Sequence, residues 1–339
     1  MGDVTSPTKR PVSQADVAAV VAEALDVEID PDGCVELPAA TFASVWRVGL
    51  HDGSRVVLKV SPPATARLLR YEHGLLGEEA RYFRLVSEQA AGVPVPAVLF
   101  YGASRHLAGA PVLLASYLPG RSLAEASPDL SDAARGEVKE QLGAAVAHVH
   151  RIAGSRFGYS GDRPHAATWD QAFIAIVDSL IQDAQDWEMP LPVTPLELGA
   201  TLRRNQAALA DVATPVLVHF DLWDGNILAE PAEAGRWMLS GLVDGERHLF
   251  GDPLVDFIST ALFRRIEDDP SDPFLTGYRR GSDAEIELSE SATTRLRLYR
   301  MHLYLLMLVE MPSRGMTVHT HPERFRMLSE HLIHEVADL

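Results

Sequence analysis

The chain has a single cysteine, Cys34, among its 339 residues, so no disulfide can form within it and a reducing, cytoplasmic setting is expected. Lysine is scarce, and basic residues are outnumbered: 30 Lys and Arg stand against 47 Asp and Glu, a formal charge of −17. A surface of that sign repels nucleic-acid phosphates and anionic headgroups, which argues against DNA, RNA and membrane partners. Long apolar runs are missing too. The longest near the end, Met301 to Met311, is interrupted by His302 and Glu310, and is too short to span a bilayer; it reads as a buried helix. No charged start followed by an apolar core marks a secretory leader.

What remains is an ordinary globular composition, 47% apolar and 23% charged, on a chain long enough for two lobes sharing a substantial core. Residues 1 to 12 are polar and proline-bearing and read as a loose end before a first helix over 13–25, with Ser13 as N-cap. TFASVWRVGL and RVVLKV, separated by the turn signal His51-Asp52-Gly53-Ser54, predict a tight hairpin. A helix is expected over 67–90 and strands in VPVPAVLFYG and APVLLASYLPG. From residue 121 the pattern turns helical, notably over 131–152, 168–187, 195–211 and 291–311, with two short apolar strands between, PVLVHFD and MLSGLVD, each ending in aspartate.

The most demanding spacing is His219-Phe220-Asp221-Leu222-Trp223-Asp224-Gly225-Asn226, an HxDxxxxN directly after an apolar strand. Phosphoryl transfer needs a carboxylate that orients the attacking hydroxyl and, a few residues on, an oxygen ligand that holds magnesium against the phosphates. Asp221 and Asn226 supply both parts; the alternative is a capped turn with Asn226 in the left-handed region. Asp244 ends the next apolar strand and offers a second metal-coordinating carboxylate. Lys59 lies inside VVLKV, where a buried ammonium is costly unless nucleotide phosphates and a carboxylate await it. Glu79, on the helix that follows, is a candidate carboxylate, with Glu78 and Glu72 close by.

HFDLWDGNIL, LVDGE and FGDPLVDF together resemble the motifs of the aminoglycoside phosphotransferase family, small-molecule kinases with a protein-kinase-like fold. The resemblance runs from about residue 35 to the C-terminal helices. It implies an α+β, bilobal architecture: a nucleotide-binding lobe over residues 1–115 built on a small antiparallel sheet, a hinge at 116–120, and a larger, mainly helical catalytic and acceptor-binding lobe over 121–339. It implies ATP and Mg2+ as cofactors, Asp221 as catalytic aspartate, Asn226 and Asp244 as metal ligands, Asp252 and Asp256 as braces of the catalytic loop, and His219 as a structural member of it. The phosphate-covering loop falls near Pro38 to Val45. It lacks a GxGxxG, but Ala39, Ala40, Ala43 and Ser44 are small enough for backbone amides to approach, with Ser44 the expected phosphate contact. LLASYLPG is similar to the family's hinge, which implies that backbone groups of Ser116 and Leu118 meet the adenine edge. Phe220 and Gly245 depart from the family pattern, where glycine and an aromatic are usual, and both fall near the expected acceptor.

The reading that follows is an ATP-dependent O-phosphotransferase acting on a small-molecule hydroxyl acceptor, as monomer or homodimer. The family-level acceptor is an antibiotic, an aminoglycoside or another sugar- or nucleoside-bearing natural product, modified to give resistance; a metabolic sugar or amino sugar is the alternative. A protein kinase needs an activation segment, yet Gly251 follows Asp244 by seven residues and no APE follows. A catalytically silent nucleotide-binding protein is the rival from another class, although every reacting position is filled. Asp178, Asp183, Asp186 and Glu188 offer either a site for acceptor ammonium groups or a solvated helix face. His319, His321, His331 and His334 lack acidic or cysteine companions at metal-binding spacing and read as surface histidines.

Overall fold

Ser13 does open the first helix. In the computed structural model, which describes residues 6–37, 42–283 and 287–339, the Ser13 hydroxyl accepts from the Asp16 N–H at 3.2 Å and the Asp16 carboxylate accepts from the Ser13 N–H at 2.9 Å. This reciprocal box satisfies two donors that the first helical turn leaves orphaned. The helix, α1 (Gln14–Leu25), buries Val17, Val20 and Val21 against Trp46, Val48, Leu58 and Leu114 of the sheet that follows. Residues 6–12, the described part of the stretch before it, are not loose. Thr8 is buried, and Arg10 donates to the Ser61 and Pro62 carbonyls at 3.2 and 3.3 Å, so long-range hydrogen bonds hold a stretch that has no apolar periodicity.

Five antiparallel strands form the first lobe: β1 (Ile29–Glu36), β2 (Ser44–Leu50), β3 (Arg55–Val60) and, after helix α2 (Leu75–Gln89), β4 (Val98–Ser104) and β5 (Ala110–Ser116). Their spatial order is β1-β2-β3-β5-β4. The β2–β3 hairpin turns through Gly53 at φ 84°, a conformation that glycine adopts without steric cost. β1 escapes the sequence pattern because Pro31 and Gly33 break it. It survives as an edge strand whose register shifts between Asp30 and Val35, one of the few places where a strand tolerates proline. The helix expected over 67–90 begins only at Leu75, after Gly74 at φ 76°; the preceding residues instead make a short 3-10 turn at Arg70–Glu72.

The second lobe is mainly helical. Its first part comprises β6 (Arg121–Ser122), α3 (Leu123–Ala126), α4 (Asp132–Val149), β7 (Phe157–Gly158), β8 (His165–Ala166), α5 (Trp169–Asp186), α6 (Pro195–Arg204) and α7 (Gln206–Ala210). The central part holds β9 (Val216–Val218), β10 (Ile227–Pro231), β11 (Trp237–Leu242), β12 (Leu249–Gly251) and α8 (Leu254–Thr260). The chain ends with α9 (Pro273–Gly281), α10 (Glu290–Ser313) and α11 (Pro322–Ala337). α10 is buried on nearly every side, as its largely apolar stretch predicts, and contributes many residues to the core. Among the described residues no helix is long and apolar enough to cross a membrane.

β9 ends at Val218 and β11 at Leu242, and the two loops that follow carry Asp221 and Asp244 to the cleft beneath the first lobe.

Candidate active site

Lys59 sits in the middle of β3, paired with Val45 on one side and Leu113 on the other. Its ammonium donates to Glu79 Oε1 of α2 at 2.6 Å and also to Asp244 Oδ1. Of the three candidate glutamates, only Glu79 meets Lys59: Glu78 accepts from Ser160 and pairs with Arg163 at 3.1 Å, and Glu72 pairs with Arg314. Burial alone would push the Lys59 ammonium down, but Asp244 and Glu79 outweigh it and hold its pKa above the ordinary range. The two carboxylates respond in opposite senses. Burial raises Glu79, whose side chain is 2% exposed; Asp244, 40% exposed, feels burial too, but Lys59 prevails and holds it below the usual carboxylate range.

The catalytic-loop motif is held from behind. Asp256 accepts from the His219 N–H at 3.0 Å, from the Phe220 N–H at 2.6 Å and from His150 Nε2 at 2.9 Å. His219 Nδ1 in turn accepts from the Asp221 N–H at 3.2 Å, and its Nε2 donates to the Val243 carbonyl at 3.0 Å. One neutral tautomer satisfies both bonds, consistent with burial lowering the pKa of this imidazole. Asp252 does not share the bracing: it accepts from Arg295 and Tyr299 of α10, each at 2.7 Å. Asn226 Nδ2 donates to the Asp221 carbonyl at 2.9 Å, which leaves its Oδ1 as a free acceptor. The left-handed residues of the two loops are Phe220 at φ 69° and Asp244 at φ 60°, not Asn226.

Both departures from the family pattern have packing reasons. The Phe220 ring is buried and stacks on His302 of α10 at 5.2 Å between centroids, so it points into the core and not toward an acceptor. A Cβ on Gly245 would come within 2.2 Å of the Tyr82 ring; the space that an aromatic would occupy after Asp244 is already filled from α2.

Asp221, Asn226, Asp244, Lys59 and Glu79 line one cavity of about 770 Å³. Burial raises the Asp221 carboxyl pKa, while Arg247, whose Nε lies 3.6 Å from Asp221 Oδ2, pulls it down. Sequence reasoning missed two residues here. Arg247 links Asp221 to Glu310 of α10 at 2.8 Å, and Glu246 places a carboxylate beside Glu79 and Asp244, with donor atoms of all three within 4.8 Å. Glu246 Oε2 has no hydrogen-bond partner, and burial together with Asp244 and Glu79 pushes its pKa up to about 8. An orphaned carboxylate oxygen beside two more carboxylates, in a cavity that the Asn226 side chain also lines, is a donor set that suits a hard divalent cation. The DGE that follows the second strand was the available signal for Glu246.

The remaining expected contacts lie elsewhere. The Ser44 hydroxyl is fully buried and donates to the Arg10 carbonyl; residues 38–41 of the phosphate-covering stretch, which include Ala39 and Ala40, fall outside the described residues. The Ser116 N–H and Oγ both bond to the Ala97 backbone at 2.9 Å, and Leu118 packs on Gly241. None of the three lines the cavity. Nor do Asp178, Asp183, Asp186 and Glu188: Arg70 caps Asp183 at 2.5 Å and Asp186 at 2.7 Å. Of the C-terminal histidines, His331 stacks on Tyr304 and Phe263, and among the described residues none of the four joins a metal-binding group.

A family model described as the phosphotransferase enzyme family matches residues 35–299. The chain belongs to this family. It is a phosphotransferase of the small-molecule kinase kind, with the bilobal α+β fold that such kinases share with protein kinases. The mouse (Mus musculus) acyl-CoA dehydrogenase family member 10 is 27% identical over 234 residues, covering 66% of this chain. The chain spans about a fifth of that relative's length, 20%. A Thermobifida fusca YX-ER1 protein assigned as a fructosamine-3-kinase superposes with a TM-score of 0.64 at 20% identity, covering 94% of this chain and 98% of that one. A thermostable mutant of aminoglycoside phosphotransferase APH(4)-Ia does so with a TM-score of 0.65 at 17% identity, covering 95% and 98%; that phosphotransferase has also been solved with ADP and hygromycin B. At these identities the likeness to solved structures is one of fold.

Proposed function

We propose that this phosphotransferase moves the γ-phosphate of ATP onto a hydroxyl of a small molecule, with Asp221 orienting that hydroxyl and accepting its proton. The observation that carries the reading is the shared cavity: Asp221 and Asn226 face it from the loop after β9, Asp244 from the loop after β11 and Lys59 from strand β3. Lys59, kept cationic by Glu79 and Asp244, binds nucleotide phosphates. Asn226 Oδ1, Asp244 and Glu246 are the residues that would hold magnesium, and the ion, when bound, neutralises charge on the transferred phosphoryl group. Asp221 acts by position more than by basicity, since the transition state for phosphoryl transfer is loose and the hydroxyl proton leaves late.

The acceptor divides the reading. Likeness to an aminoglycoside phosphotransferase supports an antibiotic and a resistance role; likeness to a fructosamine-3-kinase assignment supports a metabolic one. One observation favours the second. A polycationic aminoglycoside needs carboxylates facing the cavity; none of the four acidic candidates in and after α5 lines it, and Asp183 and Asp186 are paired with Arg70. The test of the kinase reading is acceptor-dependent ADP release across aminoglycosides, macrolides, nucleosides and free sugars, measured on the native chain and on Asp221→Asn. Loss of turnover with nucleotide binding retained is expected. Near-normal phosphorylation by Asp221→Asn of any acceptor would remove Asp221 from its assigned role.

A further inference from the structure

Resting on the kinase reading, we propose that the acceptor carries an anionic group, a carboxylate or phosphate, on an apolar body, and that Arg324 of α11 is the residue that pairs with it. Past Asp221 the cavity is walled by Leu303, Met307, Met316 and Met327, and methionine thioethers make an adaptable apolar surface. Three guanidiniums line the same cavity: Arg247, Arg314 and Arg324. Arg247 is paired with Glu310 at 2.8 Å. Arg314 is paired with Glu72, donates to the Ser313 hydroxyl at 2.9 Å and lies 4.8 Å over the Phe42 ring. The carboxylates at this end, Glu72 and Glu310, are therefore already taken by arginine.

Arg324 differs. It has no hydrogen bond or close ion pair among the described residues, acts on Glu310 only through longer-range attraction, and its Nε is shielded from solvent with nothing to donate to. A donor shielded from water without a partner is costly, and more so when charged. A ligand carboxylate or phosphate removes that cost and adds a charge-assisted pair that the planar guanidinium is shaped to make. An ammonium acceptor would meet the opposite situation, since the charge left without an ion pair here is positive and Asp183 and Asp186 of α5 are capped by Arg70.

The test is made on the full chain with saturating ADP and magnesium, by calorimetric titration of octanoate, octyl phosphate, octanol and octylamine. At least one of the two anions is expected to bind about tenfold or more tightly than octanol, a ratio typical of one charged hydrogen-bonded pair, and their relative order tells carboxylate from phosphate. Arg324→Met is expected to bring that anion and octanol to within about twofold of one another, and Arg324→Lys, which keeps the charge, to retain most of the preference. Tightest binding by octylamine, equal binding by all four probes, or an anion preference that survives Arg324→Met overturns the proposal.

A turnover arm separates this claim from the reading beneath it. ADP release is followed with ω-hydroxyoctanoate, its phosphate counterpart, octanediol, aminooctanol and an aminoglycoside, with Asp221→Asn as the blank. Phosphorylation of the cationic or neutral acceptors alone, stopped by Asp221→Asn, leaves the kinase standing and removes the anionic acceptor. ADP release that is unchanged in Asp221→Asn removes the kinase mechanism itself.

Discussion

Arg247 stands between Asp221 and Glu310: its Nε is 3.6 Å from the Asp221 carboxylate, while a second guanidinium nitrogen is 2.8 Å from the carboxylate on α10. A helix near the C-terminus thereby reaches the loop that carries the expected base. If Arg247 positions Asp221, Arg247→Met lowers kcat by about a hundredfold, the scale on which a misplaced catalytic group acts, and leaves the KM for ATP nearly unchanged. Arg247→Lys restores part of the rate. Steady-state kinetics on both variants decide it, and an equal loss in KM would point to general disruption of the cleft.

Metal dependence tests Glu246. One of its oxygens has no hydrogen-bond partner, and burial with Asp244 and Glu79 beside it raises its pKa. Chelation of divalent ions is expected to abolish turnover reversibly. Glu246→Gln, which keeps the shape and removes the charge, raises the magnesium concentration for half-maximal rate by about three- to tenfold, an effect of about 1 kcal/mol. The variant is also expected to fold as well as the parent, because a group that prefers to be neutral there loses little by amidation.

His302 sets a pH limit on stability. Burial, helped by Arg247, lowers its pKa to about 3 in the folded protein, against roughly 6.5 in an unfolded chain. The unfolded state therefore takes up the proton first, so stability is full above about pH 6.5 and falls as pH drops toward 3, by up to about 1.4 kcal/mol per pH unit. His302→Phe keeps the stack on Phe220 and removes the titration. Denaturant unfolding at pH 4.5 and pH 7.5 is expected to differ less for the variant than for the native chain; an equal difference in both would assign the acid sensitivity to other groups.

Gly245→Ala is expected to destabilise the chain by about 1–3 kcal/mol, the cost of overpacking a filled site, because the added methyl meets the Tyr82 ring. Tyr82→Leu in the same chain frees the space, so the double variant is expected to regain part of the loss in thermal melting. Additive losses would show that the two positions do not compete for room.

The spacing of His219, Asp221 and Asn226, the aspartate that ends the next strand and the lysine inside β3 are local patterns, and from them the chain's family and its two-lobed architecture can be read. The hairpin at Gly53, the Ser13 cap and the buried run of α10 are legible for the same reason: the residues that decide them lie within a turn or two of one another. Tertiary structure decided the rest. Lys59 meets Asp244 across 185 residues, Glu72 meets Arg314 across 242, and Arg70 covers Asp183 across 113, distances over which no periodicity carries information. Those contacts choose Glu79 among three glutamates, take the acidic face of α5 out of the cleft and turn Ser44 toward Arg10. They also leave Arg324 without a hydrogen-bonded partner, because charge count is a property of the sequence, whereas which charges pair with one another depends on where the folded backbone brings them together.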